Sequence, residues 1–385
     1  MIIDGKVCMP LNVKTGEWDE SLRFSESVAI FIPTLTAGGA ERVASIIANE
    51  WADTRRVYVI TYFDAPIFFV IDSRVKIFSL GFQPKRRAIR RMLDIVRAMW
   101  RLRLLIKRLR PVFVLSFMNK YNVFCLLALY GLRIPVIVSE RGSPTEILPR
   151  IRVVARDILY PWASGLICQT RDGHDFITTQ ARVRYATVIP NPVRRIIDPG
   201  DRVAEKMILA VGRFVDAKGF DQLLKAVAAM SVTDWRLVLC GDGPLRTALE
   251  QQARTLGIAE RVEFPGLVVD LAPYYRRAGI FAFSSLHEGF PNALAEALVS
   301  GLPCVSYDCP TGPSDLIING ESGLLIPVGE VAAMTAALNR LATDRNLAEQ
   351  LGARAADLVE RLDPACVSRE YLAFCETVAR RSVGV

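Results

Sequence analysis

The chain has 385 residues, 51% of them apolar, and a formal net charge of +8. That length is too great for one ordinary core and makes two domains of about 100–200 residues the natural expectation, while the apolar share excludes a largely disordered chain. Eight cysteines without a C-x-x-C pair and only two histidines, His174 and His287, exclude a readable zinc cluster and fit buried thiols in a reducing compartment.

Residues 1–26 lack the charged start, apolar stretch and small-residue cleavage site of a signal peptide. No apolar run reaches the roughly 18 residues needed to span a bilayer, so we expect a cytoplasmic protein. From residue 27 short apolar runs alternate with helical patterns: "SVAIFIP", the helix of "GGAERVASIIANEW", then "RRVYVITYF" and "VKIFSL".

The next segment, residues 84–111, holds eleven Lys or Arg against the single acid Asp94, more than the net charge of the whole chain. At 100° per residue, Ile89, Met92, Leu93, Val96, Met99 and Trp100 fall on one side of a helix and Arg87, Arg90, Arg91, Arg97 and Arg101 on the other. Such a helix fits either a solvated outer face or attachment to an anionic membrane surface. The membrane is the reading we carry forward, because each nearby Lys or Arg adds about 1 kcal/mol there. No nucleic-acid motif or aromatic platform accompanies the charge, so nucleic acid is not an expected partner.

The alternation resumes with "VFVLSFM", "PVIVSER", "GLICQT" and "ATVIPNPV". It breaks at residues 191–206, rich in proline and mixed charge, and restarts with "MILAVGRF", "WRLVLCG", "RVEFPG", "IFAFSS" and "PCVSYD". The pattern predicts α/β architecture in two doubly wound, Rossmann-like domains facing across a cleft. We divide the chain into an extension (1–26), an acceptor and membrane domain (27–190), a linker (191–206), a nucleotide-sugar domain (207–363) and a C-terminal helix (364–385) that could pack back toward the first domain.

Four loops carry the chemistry. "EGFPNALAEAL" sets Glu288 just before a helix that Pro291 opens and Glu296 two turns inside it, on the order of 10 Å apart at 1.5 Å rise per residue. Hydrolytic carboxylates of a retaining glycosidase stand about 5–5.5 Å apart, so this pair suits two ends of one extended ligand or, more plainly, a helix cap and a solvated position. "VGRFVDAKGF" places Arg213 and Lys218 in a strand-to-helix loop, where two cations beside free helix N–H groups make a site for an anion such as a diphosphate. Gly38 and Gly39 in "TAGGAER", and Gly241 in "CGDGP", either admit a phosphate or sugar to the backbone or are plain turns.

Taken together, "GGAER", "VGRFVDAKGFDQLLKA", "GDGP", "HEGFPNALAEALVSGLPCVS" and "CPTGPSDLI" resemble the retaining glycosyltransferases of family 4, with the two-Rossmann GT-B fold, from about residue 27 onward. The resemblance implies that Glu296 takes the donor's ribose and Glu288 the transferred hexose, beside the backbone N–H groups of Gly289, Phe290 and Asn292. It implies that Arg213 and Lys218 neutralise the leaving diphosphate in a front-side, retaining transfer through an oxocarbenium-like ion pair. No D-x-D occurs, so no metal or other cofactor is expected.

Many relatives carry a histidine after the fifth strand, where this chain has "VSERGSP". Glu140 and Arg141 are therefore candidates for the sugar or acceptor side, or a salt-bridged loop. Asp315 stands where a glutamate is usual. The implied donor is a UDP-sugar, of a hexose or N-acetylhexosamine. The basic helix favours a membrane-anchored, lipid-linked glycan acceptor in surface polysaccharide or lipopolysaccharide synthesis, with the protein peripheral on the cytoplasmic face. The rival readings are a nucleotide-sugar epimerase of the same fold and a membrane-binding scaffold without catalysis.

Overall fold

A computed structural model describes residues 26–83, 88–142, 149–356 and 359–383. The first half is a seven-stranded sheet of β1 (Ser27–Ile32), β2 (Arg56–Phe63), β3 (Lys76–Phe82), β4 (Val114–Phe117), β5 (Val136–Ser139), β6 (Gly165–Cys168) and β7 (Ala186–Val188), in the order β3-β2-β1-β4-β5-β6-β7. Its helices are α1 (Gly39–Trp51), α2 (Ala88–Leu109), α3 (Asn119–Leu129), α4 (Arg150–Leu159) and α5 (Arg171–Gln180).

The second half is a six-stranded sheet of β8 (Met207–Val211), β9 (Arg236–Cys240), β10 (Val262–Gly266), β11 (Ile280–Phe283), β12 (Cys304–Tyr307) and β13 (Leu324–Ile326), in the order β10-β9-β8-β11-β12-β13. Around it lie α6 (Phe220–Ala228), α7 (Arg246–Thr255), α8 (Ala272–Arg277), α9 (Asn292–Val299), α10 (Pro313–Leu316), α11 (Val331–Thr343), α12 (Arg345–Ala355) and α13 (Val359–Leu362). The last helix, α14 (Pro364–Val383), follows.

The strand pairs are parallel, with Ser27 opposite Arg56 and Ile32 opposite Thr61 at the first pairing. Parallel strands are covered on both faces, which is why β1 reads as an unbroken apolar run. Its successive side chains feed opposite cores: Ala29 and Phe31 pack on one side, Val28, Ile30 and Ile32 on the other. The sequence reading misses β13 and α10, of three and four residues, because neither is long enough to show a period.

α14 crosses back to the first half. Val367, Tyr371, Cys375 and Val378 complete the core behind β1, and Trp51 donates its indole N–H to the Ser368 carbonyl at 2.8 Å. Residues 191–206 are bonded to the second half, with Arg202 donating to the Gly301 carbonyl (2.7 Å) and the Ala278 carbonyl (3.0 Å).

The basic helix has more faces than the helical wheel separates. Ala98, Leu102, Leu105, Ile106 and Leu109 are buried on α2, whereas Met92, Leu93, Val96, Trp100 and Leu104 are exposed. The apolar side drawn from the sequence is therefore largely an outer stripe. A wheel sorts residues by angle but does not say which of two apolar arcs meets a sheet. Arg91, Arg97 and Arg101 are exposed, and Arg101 donates to the Leu80 carbonyl at 2.9 Å. Arg87, the side chain of Arg90 and nearly all of the N-terminal extension lie outside the described residues.

In each sheet the strand order reverses once, between β1 and β4 and between β8 and β11. Ligands of such sheets bind outside the carboxyl ends of the strands at this reversal. The loops after β1, β8 and β11 hold Gly38, Arg213, Lys218 and Glu288 at these two points.

Candidate active site

The loop after β8 is shaped by Gly219, which caps α6 at φ 59°; a β-carbon there would stand 2.2 Å from the Ser284 carbonyl oxygen. Only glycine accepts both the left-handed backbone and that approach. The contact stitches two loops together, with Ser284 Oγ donating to the Lys218 carbonyl at 2.9 Å and Leu286 N–H to the Ala217 carbonyl at 2.8 Å. Lys218 Nζ is thereby brought onto Glu288 Oε1 as an ion pair, and it also lies 5.8 Å from the centre of the Phe283 ring. Arg213, on the same loop, is exposed and makes no side-chain hydrogen bond or ion pair among the described residues. Gly241 packs beneath, where a β-carbon would strike the Gly212 carbonyl at 1.8 Å.

The helix of the double-glutamate motif begins at Asn292, one residue later than the sequence suggests, with Pro291 as its cap. Phe290 is buried in the second core, so only its backbone is available to a ligand. Glu296 is 4% exposed, which removes the reading of a solvated helix position. Burial pushes its carboxyl above the usual carboxylate range, and the neighbouring Arg42 guanidinium pulls it back down. Arg42 stands one turn into α1 and donates Nη1 to Glu296 Oε1 across the cleft. The two halves are in ordinary contact beside it: a β-carbon on Gly39 would sit 3.4 Å from Asn292 Nδ2.

A cavity of about 500 Å³ opens on the first-half side, lined by Lys120, Tyr121, Glu140, Arg152, Thr170 and Gly289 among others. Glu140 is buried there and accepts hydrogen bonds from the Tyr160 hydroxyl (2.6 Å) and Asn119 Nδ2 (3.3 Å). Burial, then the positive charge of Arg152 and Arg91, pushes the Lys120 ammonium down. Arg141 has a different setting from Glu140. Its guanidinium donates to Asn191 Oδ1 and to the Tyr371 hydroxyl (2.8 Å) and lies 4.6 Å from the centre of the Phe117 ring. It ties the first sheet, the crossing segment and α14 together, and its carbonyl would be only 2.5 Å from a β-carbon on Gly289.

The "CPTGPSD" loop supplies further ties. Thr311, at φ 72°, donates its hydroxyl to the Glu288 carbonyl and its N–H to Asp172 Oδ2 at 3.2 Å. Asp315, whose role the sequence leaves open, accepts the Arg171 N–H at 3.1 Å. Arg42, Thr311 and Asp172 are absent from the sequence-based candidates. Arg42 does lie within the quoted "GGAER", whose glycines alone drew notice; the other two carry no local signal. Among the described residues no three His, Cys, Asp or Glu side chains converge as a metal site.

Two family descriptions match this arrangement half by half: Glycosyl transferase 4-like domain over residues 38–192 and Glycosyl transferases group 1 over residues 197–358. The chain belongs to the group 1 glycosyltransferases, family 4. This glycosyltransferase is 26% identical over 351 residues to a Campylobacter jejuni alpha-1,4-N-acetyl-D-galactosaminyltransferase named for a diNAcBac-PP-undecaprenol-linked acceptor, covering 90% of this chain and 97% of that one. It is 33% identical over 168 residues to the Rhizobium meliloti lipopolysaccharide core biosynthesis glycosyltransferase LpsE, covering 43% of this chain and 48% of that one. Its fold is that of Anabaena HepE, crystallised with UDP and glucose, at a TM-score of 0.76 and 19% identity over 91% of this chain and all of the other. The fold of the glycosyltransferase is therefore GT-B, and its reaction class is the retaining transfer of a hexosyl group.

Proposed function

We propose that the enzyme moves a hexose or N-acetylhexosamine from a UDP-sugar to a lipid-linked glycan acceptor at an anionic membrane face, for surface polysaccharide or lipopolysaccharide. The observation that carries the donor half is the convergence of Lys218, Glu288 and Glu296 at the strand reversal of the second sheet, opposite the glycine loop of α1. Lys218 and the exposed Arg213 take the diphosphate, Glu288 the sugar, and Glu296 the ribose. Lys218 leaves Glu288 for the diphosphate when the donor arrives. The bond from the anomeric carbon to the diphosphate oxygen breaks, and the acceptor hydroxyl oxygen bonds that carbon on the same face. The acceptor's proton passes to the departing diphosphate, so stabilising that leaving charge is the main catalytic task. No step calls for a metal. The UDP bound by HepE and the undecaprenyl-linked acceptor named for the Campylobacter relative support this choice of substrates.

The acceptor half rests on the cavity around Glu140 and on the outer stripe of α2. On α4 and the turn after it, Ile151, Val154, Ile158 and Trp162 are also exposed, and α3 bridges the two helices. Arg97, Lys107 and Arg108 border the stripe on α2. Apolar side chains edged by cations suit the surface of an anionic bilayer, where the acceptor's lipid would be anchored.

The test is thermal stabilisation by UDP, GDP and ADP in EDTA, for the native enzyme beside Arg213→Ala and Lys218→Ala. A ligand that binds only the folded state raises stability with its concentration. A UDP-selective shift lost in both variants supports the donor reading, and no shift with any nucleotide sinks it. Turnover of UDP-sugar without acceptor would instead favour the epimerase.

A further inference from the structure

The geometry points to Arg42, on the first half, as the residue that sets Glu296 for the donor's ribose, which makes the nucleoside site a product of both halves. We infer that one oxygen of the Glu296 carboxylate is committed to Arg42 so that the other is left, ionised and oriented, to accept from ribose hydroxyls. This rests on the reading of Glu296 as the ribose acceptor and names a positioning residue for it.

Three observations carry it. First, Glu296 is buried, and a buried carboxylate without a cation would take up a proton or leave its place. Among the described residues its one charged partner is Arg42, which donates to Oε1, and Oε2 receives no hydrogen bond from any of them. Second, a ribose diol needs an acceptor, and a protonated carboxyl would offer a donor in its place. The cation therefore does more than hold the helix, because it fixes the protonation state that the ligand requires. Third, the two halves are in contact beside the pair. Gly39 faces Asn292 at the mouth of α9, and Arg42 follows in the first turns of α1, its N–H bonded to the Gly38 carbonyl at 2.9 Å.

The consequence is a coupling of donor binding to the approach of the two halves. Opening the cleft removes Arg42 from Glu296, and with it the ionised ribose acceptor, so the nucleoside is held tightly only when the halves meet.

The probes are UDP and 2′-deoxy-UDP, titrated calorimetrically into the full-length enzyme in EDTA. The variants are Arg42→Ala, Arg42→Lys, Glu296→Gln and the double variant. Arg42→Met, which keeps the aliphatic stem, replaces Arg42→Ala if the latter does not fold. We expect Arg42→Ala to weaken UDP about tenfold or more and 2′-deoxy-UDP far less, so that the preference for the ribose form collapses. Arg42→Lys should restore part of that preference, and the double variant should be no weaker than Glu296→Gln alone. If Glu296→Gln loses the ribose preference while the Arg42 variants keep it, the assignment of Arg42 is overturned and the donor site stands. If Glu296→Gln keeps the preference, the ribose reading itself falls and the inference falls with it.

Discussion

Lys218 and Glu288, 70 residues apart in sequence, form an ion pair at the carboxyl ends of β8 and β11, with both side chains largely withdrawn from solvent. In the proposed function this pair holds the cation that meets the leaving diphosphate. Removing one electrostatic donor of this kind costs about 10²–10³ in turnover. Lys218→Ala should lower kcat at least about tenfold at saturating donor. Steady-state transfer assays with a radiolabelled UDP-sugar check this, and an unchanged kcat would withdraw Lys218 from the chemistry.

Gly219 makes the loop that presents Lys218. At φ 59° with a carbonyl oxygen 2.2 Å from the position of a β-carbon, Gly219→Ala must displace the Ser284 backbone. Such strain costs about 1–3 kcal/mol. Urea unfolding should show a lower midpoint with an unchanged m-value, and donor affinity should fall with it.

The Glu296 carboxyl is raised by burial and lowered by Arg42, with the buried Tyr275 as its other titratable neighbour. A raised folded-state pKa means that the native protein binds this proton more tightly than the unfolded chain. Its contribution to stability is present at low pH and lost as pH rises through the folded value. In Arg42→Ala the raise is larger, so the loss of stability relative to the native enzyme should be greatest near pH 8 and narrow toward about pH 5. Melting curves across that range test it, and Glu296→Gln in the same background should abolish the pH-dependent part.

The outer stripe of α2 gives a prediction about lipid. Replacing Arg97, Lys107 and Arg108 by Glu should release the enzyme from phosphatidylglycerol vesicles and leave its UDP affinity unchanged. Trp100→Ala should weaken attachment further and reduce its resistance to salt. Vesicle co-sedimentation reads both, and undiminished binding by the charge-reversed protein would remove α2 as the attachment face.

Much of this was legible in the chain. The alternation of apolar runs and helices announced two parallel sheets, because strands buried on both faces lose their period-2 signature and gain length-limited apolar runs. The motifs around Arg213, Lys218, Glu288 and Glu296 were visible because each lies in one strand-turn-helix unit, where spacing in sequence is spacing in space. β13 and α10 escaped because three or four residues show no period. Which apolar arc of α2 meets the sheet is not legible, because a helical pattern gives angles and not neighbours.

The sequence by itself determined the fold class and the family, since both rest on local patterns repeated along the chain. The tertiary structure decided the partners. Arg42 meets Glu296 across 254 residues, Arg141 turns to Asn191 and Tyr371, and α14 returns to the core behind β1. Those pairings join segments far apart in the chain, which no local spacing encodes. Burial then forces the buried charges among them to find each other.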